Sequence, residues 1–282
     1  MTPTIAITGV TGQLGSAVAL KLSELNIPLV LLARTPSKVV NLPNSVVRQV
    51  SYGNSAEAIQ ALNGIKTLFM VSAAEDLARV EQHRTFIEAA VKAGVEHIIY
   101  TSFYNASATA EFHLARDHFA TEEIIKGFNW KYTLIRNNFY MDGLESFGGD
   151  RRVIAGPAHN GKVSCISRSD IIKVIVKVIQ NLDHHINKTY SLTGPCNYSL
   201  SEIASLITTI SGNPITYKNE TMEEAYESRS IYKVEKWVVD SWISTYVAMA
   251  KGECDGLSDD VEKITGEKPI TYEVFLNSIY KK

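Results

Sequence analysis

Short apolar runs alternate with amphipathic stretches through the first half of the chain. Ile5-Ala6-Ile7 reads as a buried strand, and the helical periodicity of Leu14, Val18 and Leu22 follows it from Gln13 to Leu25. Pro28 to Leu32, Val46 to Val50 and Thr67 to Val71 predict three more strands. A long helix spans Asp76 to Ala93 and closes at Gly94, the residue type that accepts a left-handed C-terminal turn. His97 to Tyr100 is a fifth strand, a helix covers about Thr109 to Lys126, and Tyr132 to Ile135 is a sixth strand. Runs that are apolar throughout belong to strands buried on both faces, so the sheet is parallel and covered by helices on both sides. Right-handed crossovers then make it doubly wound, with ligands outside the carboxyl ends of its strands.

The second half is less regular. Ser169-Asp170 is placed to cap a helix running to Asn181, and Thr189 to Leu192 reads as a strand. Ser199 and Glu202 have the spacing of a capping box, and Ile231 to Ala250 reads as a helix carrying Trp237 and Trp242. The expected fold class is α/β, a doubly wound parallel-sheet Rossmann fold over residues 1–150. A smaller C-terminal α+β domain follows over 151–282, with part of 163–195 packing back on the sheet.

Composition narrows the functional classes. The 282 residues are 45% hydrophobic and 21% charged, as in an ordinary globular protein. A net charge of -2 supplies no global field for nucleic acid or an anionic membrane. Cys165, Cys196 and Cys254 are odd in number and far apart, so neither a disulfide framework nor a metal site is expected. Without a secretory pattern at residue 1 or an apolar run near ~20 residues, the expectation is a cytoplasmic protein, monomer or homodimer, acting on a small molecule.

The strongest chemical signal is the turn Thr8-Gly9-Val10-Thr11-Gly12-Gln13-Leu14-Gly15, which follows a strand and opens a helix. Gly9 permits the tight turn, Gly12 lets backbone approach a pyrophosphate, and Gly15 lets helix and strand pack closely. The helix N-terminus offers N–H groups and partial positive charge to the phosphates, and Thr11 and Gln13 add hydrogen bonds. The spacing is GxxGxxG, so the flanking strand and helix carry much of the argument. After the second strand, Ala33-Arg34-Thr35-Pro36-Ser37-Lys38 has no carboxylate for a ribose 2′-hydroxyl. Arg34 suits a 2′-phosphate, with Lys38 adding a second charge, which makes NADP(H) the expected cofactor. An arginine in a solvated loop is the plainer alternative. Tyr52 after the third strand and Ser72-Ala73 after the fourth are placed to flank adenine and ribose.

Acid–base machinery is harder to find. A short-chain dehydrogenase would supply a serine after the fifth strand and Tyr-x-x-x-Lys on the next helix. Ser102 is present, but the helix reads Asp117-His118-Phe119-Ala120-Thr121-Glu122-Glu123, with Glu123 where the lysine belongs if Phe119 takes the tyrosine position. Ser102, His118 and Tyr140 remain as catalytic candidates, although a lone helical histidine is more often structural. After the sixth strand, Asn137 is placed near a nicotinamide, while Phe103, Tyr104, Phe139, Tyr140, Met141 and Trp237 are candidates for a pocket suited to a flat acceptor. Phe139 is equally consistent with a packed hydrophobic loop.

Together TGVTGQLG at Thr8 to Gly15, Arg34 to Lys38, Ser51-Tyr52-Gly53, Tyr100-Thr101-Ser102 and LIRNNFYM at Leu134 to Met141 resemble the NmrA-like atypical short-chain dehydrogenases. The likeness is strongest to their quinone oxidoreductase and triphenylmethane reductase branch. It implies an NADP(H)-binding Rossmann domain, a small C-terminal domain forming the substrate cleft, and reduction of quinone-like or dye-like acceptors. It also implies cofactor contacts from Gly9 to Leu14, Arg34, the Ser72 region and Asn137 to Tyr140, with Thr101 inside a matching motif. The sequence departs from the branch at Glu123, where relatives often carry lysine, and at Ser51, where many carry aspartate.

The leading reading is therefore an NADPH-dependent oxidoreductase without the Tyr-x-x-x-Lys pair. Its rivals are an NmrA-type dinucleotide-binding regulator without catalysis and, third, an extended short-chain epimerase or dehydratase. If Arg34 reads the 2′-phosphate, Arg34→Ala weakens NADPH binding by about 1.5–3 kcal/mol, on the order of 10- to 150-fold. NADH binding stays unchanged. Parallel titrations of both nucleotides check this, and equal wild-type affinities would contradict it.

Overall fold

The computed structural model describes residues 4–53 and 55–281. Its strands are β1 (Ile5–Ile7), β2 (Leu29–Ala33), β3 (Ser45–Gln49), β4 (Thr67–Met70), β5 (His97–Phe103), β6 (Lys131–Asn137), β7 (Val153–Gly156), β8 (Lys162–Val163), β9 (Lys188–Leu192), β10 (Tyr198–Ser199) and β11 (Thr216–Asn219). The helices are α1 (Gln13–Glu24), α2 (Ser55–Ala61), α3 (Arg79–Lys92), α4 (His113–Lys126), α5 (Met141–Ser146), α6 (Arg168–Gln180), α7 (Leu200–Ser211), α8 (Met222–Arg229), α9 (Lys236–Ala250), α10 (Asp260–Thr265) and α11 (Tyr272–Tyr280).

Seven strands form one sheet in the order β3-β2-β1-β4-β5-β6-β9. The β1–β2, β2–β3, β1–β4 and β4–β5 pairs are parallel. All five residues of β2 and all four of β4 are buried, as expected of strands covered on both faces. β3 lies at the edge and is only partly buried. Strand order reverses between β1 and β4, the switch point where this fold class binds ligands, and the glycine turn is the connection leaving β1.

The chain divides into two compact units. The first comprises 1–102, 117–136 and 172–190; the second comprises 103–116, 137–171 and 191–282. Residue 150, where the sequence suggests a boundary, lies inside the second unit because the chain passes between units several times. β9, within the stretch expected to return to the sheet, does join it. The core of the first unit gathers Val30, Leu32, Leu68, Met70, Phe86, Ile98 and Tyr100. In the second unit Met141, Ile154, Val163, Ile203, Met249 and Tyr272 form a separate core. β8 pairs antiparallel with β10, and β7 parallel with β11. Among the described residues no helix is long and apolar enough to cross a membrane.

Local rules explain most helix ends. Gly94 follows α3 at φ 83°, and its N–H bonds back to the Val91 carbonyl. Ser199 and Glu202 form both halves of the capping box that starts α7. Four starts differ from expectation, among them α3 at Arg79 in place of Asp76 and α4 at His113 in place of Thr109. α6 begins at Arg168, because the Ser167 hydroxyl, one turn ahead, accepts from the Asp170 N–H. α9 begins only at Lys236, because Lys233 adopts a left-handed conformation (φ 51°) that ends the preceding turn.

In the glycine turn the tightest backbone approach is at Gly15. A Cβ there would lie 2.5 Å from the Gly9 carbonyl oxygen and 2.6 Å from that of Thr8. Both are backbone atoms that no rotamer change can remove. Gly15→Ala should therefore destabilise the protein by about 1–3 kcal/mol, the usual range for overpacking. That sign opposes alanine's helix-propensity advantage of about 1 kcal/mol. Urea denaturation of the two proteins measures the difference.

Candidate functional site

At the end of β1 the backbone turns through Gly9 (φ 66°), where a Cβ would come 2.9 Å from the Cβ of Val71. Gly12 is the residue before α1; it is extended and supplies no side-chain cap, and the first turn of α1 contains no acid. The leading N–H groups thus keep their positive potential for an anion. Thr11 and Gln13 flank this end and are exposed, whereas Leu14 is buried beneath it. Arg34 leaves β2 exposed and without an ion pair among the described residues, and Lys38 is exposed four residues later. The chemistry fits a dinucleotide phosphate: backbone donors, open glycine and unneutralised cations.

The adjoining loops are held by buried hydrogen bonds. Tyr52 Oη lies 2.5 Å from Thr8 Oγ1 and 2.6 Å from the Val71 carbonyl oxygen, and the Val71 N–H donates to Thr8 Oγ1 at 2.8 Å. The carbonyl only accepts, so the Tyr52 proton goes to Val71. The Thr8 hydroxyl then donates to Tyr52, closing a ring of three hydrogen bonds. Tyr52 also stacks on Phe86, with ring centroids 4.5 Å apart. Its expected place beside adenine thus coincides with a structural role.

Beyond Val71, the Ser72 N–H donates to Thr101 Oγ1 (2.8 Å) and the Ala73 N–H to His83 Nε2 (2.9 Å). Arg79 Nε donates to the Ala73 carbonyl (2.9 Å), and Arg79 pairs with Asp117 at 3.3 Å. His83 Nε2 accepts, so its proton sits on Nδ1, 2.9 Å from Thr121 Oγ1, which in turn donates to the Asp117 carbonyl. His118 follows the same logic. Its Nε2 faces the donor-only Arg79 guanidinium at 3.2 Å, so Nδ1 carries the proton toward Tyr100 Oη at 3.0 Å. Burial first, then the Arg79 charge, lowers the His83 pKa to about 3 and holds His118 well below its ordinary value. Both rings are neutral near pH 7.

Two catalytic candidates are thereby committed to structure. His118 is buried with both ring nitrogens engaged. Ser102 is buried and donates its proton to Glu122 Oε1 at 2.6 Å. Glu122, itself fully buried, accepts Arg136 through both oxygens, at 2.8 and 2.6 Å. Glu123 instead faces solvent and pairs with Lys126 at 2.9 Å.

In the second unit, Phe103, Phe112 and Phe139 pack edge-on or tilted at 4.8 to 5.3 Å, with Phe103 and Phe139 half-buried. Met141, expected in a pocket wall, is fully buried in the core and has no surface to offer a ligand. Tyr104 and Asn105 line a separate cavity of about 750 Å³ with Ser191, Pro195, Leu257 and Lys268. Trp237 is half-buried in the first turn of α9. Asn138 anchors the chain after β6, donating to Ser164 Oγ and the Cys254 carbonyl. Asn137 donates from Nδ2 to Tyr140 Oη at 3.3 Å, and among the described residues nothing donates to its buried Oδ1. The Arg168 guanidinium lies 5.0 Å above the Tyr140 ring and 2.9 Å from Asp142, close in distance but without hydrogen-bond alignment.

Sequence reasoning missed Arg79, His83, Glu122 and Arg168. One signal was available: Arg79 and His83, like His118 and Glu122, are four apart on helices and so share a face with apolar neighbours. Nothing local marks Arg168, whose partners come from α5 and from the segment after β6.

A family model described as the NmrA-like family matches residues 1–258. Quinone oxidoreductase 2 of Escherichia coli (strain K12) is 32% identical, over 93% of this chain and 92% of that protein. The crystal structure of an E. coli NADPH-dependent quinone oxidoreductase complexed with NADPH superposes with a TM-score of 0.89 at 30% identity, covering 98% of this chain and 99% of that one. A Citrobacter triphenylmethane reductase complexed with NADP(H) gives a TM-score of 0.85 at 28% identity, with 98% and 100% covered.

The buried histidines set a pH dependence. His97, bonded to Thr133 at 2.8 Å, is also lowered, to about 4, chiefly by burial. Each histidine binds a proton in the unfolded chain near pH 6.5 but in the folded chain only well below that. The stability they confer is complete above pH 6.5 and is lost as the pH falls toward 4. Each contributes a slope of up to about 1.4 kcal/mol per pH unit. Denaturant titrations between pH 7 and 4 should show the decline, and His83→Gln should flatten it by one histidine's share.

Proposed function

The chain belongs to the NmrA-like family, and from that premise we propose that it is an NADPH-dependent reductase that passes hydride to quinones or other flat conjugated acceptors. The uncapped, acid-free N-terminus of α1 behind Gly12 carries this reading, because it offers backbone donors and positive potential to a pyrophosphate. Arg34, exposed and unpaired with any acid among the described residues, supports the preference for a 2′-phosphate. Thr11, Gln13 and Lys38 join that phosphate-binding set. Ser72 follows β4 on backbone fixed through Thr101 and His83. The names of the relatives support the acceptor class: a quinone oxidoreductase, an azoreductase and a triphenylmethane reductase.

The cofactor supplies a hydride when bound. The chain holds its phosphates on the α1 N-terminus, keeps the adjoining loop fixed, and presents half-buried aromatic edges from Phe103 and Phe139 in the second unit. Neither Ser102 nor His118 has a proton to spare, so the reading calls for an acceptor that demands little acid catalysis, or for an acid elsewhere. Loss of reduced-nicotinamide absorbance with a panel of quinones, cationic dyes, azo dyes and aldehydes tests it. The expected result is turnover with quinones or dyes and none with simple aldehydes. NADPH binding without turnover of any acceptor would replace the enzyme with a dinucleotide-binding regulator.

A further inference from the structure

We propose that Tyr140 donates the proton that completes quinone reduction, and that Arg168 is a positioning residue that steadies the tyrosinate left behind. The inference rests on the reductase reading and names the acid that reading lacks. Three side chains were candidates, and proton accounting separates them. Ser102 gives its proton to Glu122, and His118 has both nitrogens engaged. Tyr140 is different. Asn137 Nδ2 can only donate, so Tyr140 Oη is the acceptor of their 3.3 Å contact and its own proton has no hydrogen-bond acceptor among the described residues. Tyr140 is also only half-buried, unlike the other two.

Its surroundings suit an acid. The backbone on either side is pinned, with the Ile166 N–H donating to the Phe139 carbonyl and the Met141 N–H to the Ile166 carbonyl. The charged and polar groups facing it come from three elements: Asn137 at the end of β6, Asp142 in α5, and Arg168 opening α6. Burial raises the Tyr140 pKa, which keeps the phenol protonated near neutral pH, while Asn137 and Arg168 pull the other way and Asp142 adds to burial. A cation 5.0 Å over the ring stabilises the anion that forms once the proton leaves. Physically, this is the task a lysine performs beside the tyrosine of a short-chain dehydrogenase, carried out on another element.

The step balances. Hydride addition to a quinone gives a hydroquinone monoanion and NADP+. The Tyr140 O–H bond breaks as a new O–H bond forms on the anionic oxygen, and the tyrosinate recovers its proton from water. A cationic triphenylmethane dye needs no such step, because hydride at its central carbon gives the neutral product directly. The two acceptors therefore separate proton donation from every other role.

The experiment compares wild type and Tyr140→Phe with a benzoquinone and with a cationic triphenylmethane dye, alongside an NADPH binding titration. The expected result is a fall in kcat at saturating NADPH of about 100-fold with the quinone, the lower range for a general acid, against a far smaller fall with the dye. Arg168→Met should lower quinone turnover selectively, and Arg168→Lys should restore part of it. Equal losses with both acceptors, loss of NADPH binding, or undiminished quinone turnover would overturn the proposal. A wild-type protein inert toward both acceptors would instead overturn the reductase reading, and this proposal with it.

Discussion

The ring of hydrogen bonds among Thr8, Tyr52 and Val71 is the constraint on which the first unit's ligand end depends. Its members come from the end of β1, the loop after β3 and the end of β4. β1 and β4 are the strands on either side of the topological switch point, so one small ring ties together the two sides of the crevice where this fold class binds ligands. Each of its polar atoms serves another member, and none is left orphaned, which matters because an unpaired buried donor or acceptor costs about 1–3 kcal/mol. Gly9 is required beside it, since a Cβ there would run into Val71.

From that ring the order spreads along the chain by the same accounting. Val71, Ser72 and Ala73 have their N–H groups taken by Thr8, Thr101 and His83, and the Val71 and Ala73 carbonyls by Tyr52 and Arg79. A loop with so many of its polar atoms engaged from below presents what remains, chiefly the Ser72 side chain and carbonyl, in one place. The histidines that do this work are neutral because their acceptor nitrogens face obligate donors in a dry setting, so their position and their depressed pKa values share one cause.

Much of this arrangement was legible in the sequence. Strand runs that are apolar throughout gave the parallel sheet, because burial on both faces leaves no alternation to read. The glycine turn was legible because its physics is local: each glycine answers a backbone approach within a few residues. The polar network was not, because Arg79 and His83, Thr101, and Thr121 are scattered over three segments and acquire meaning only when the sheet brings them together. Met141 shows the converse error. An apolar residue in a predicted ligand-binding loop reads as lining, yet it packs inward because its helix begins there and the core of the second unit claims it.

The polar residues of α4 are engaged in holding its neighbours. The inward face of that helix carries His118, Thr121 and Glu122, all buried and bound to neighbours, while Glu123 turns to solvent and Lys126. A helix whose buried polar groups are all engaged cannot also supply a titrating acid without breaking the bonds that hold Ala73 and Arg136. Removing Arg136 would leave the fully buried Glu122 carboxylate with Ser102 and with Lys126 at 3.7 Å, a weaker setting for a buried charge. In this chain α4 braces the scaffold through those bonds. Any acid has to come from a segment with polar atoms to spare, and after β6 the chain provides one: among the described residues, a tyrosine with its proton uncommitted, an asparagine with a buried acceptor unfilled, and an arginine over the ring.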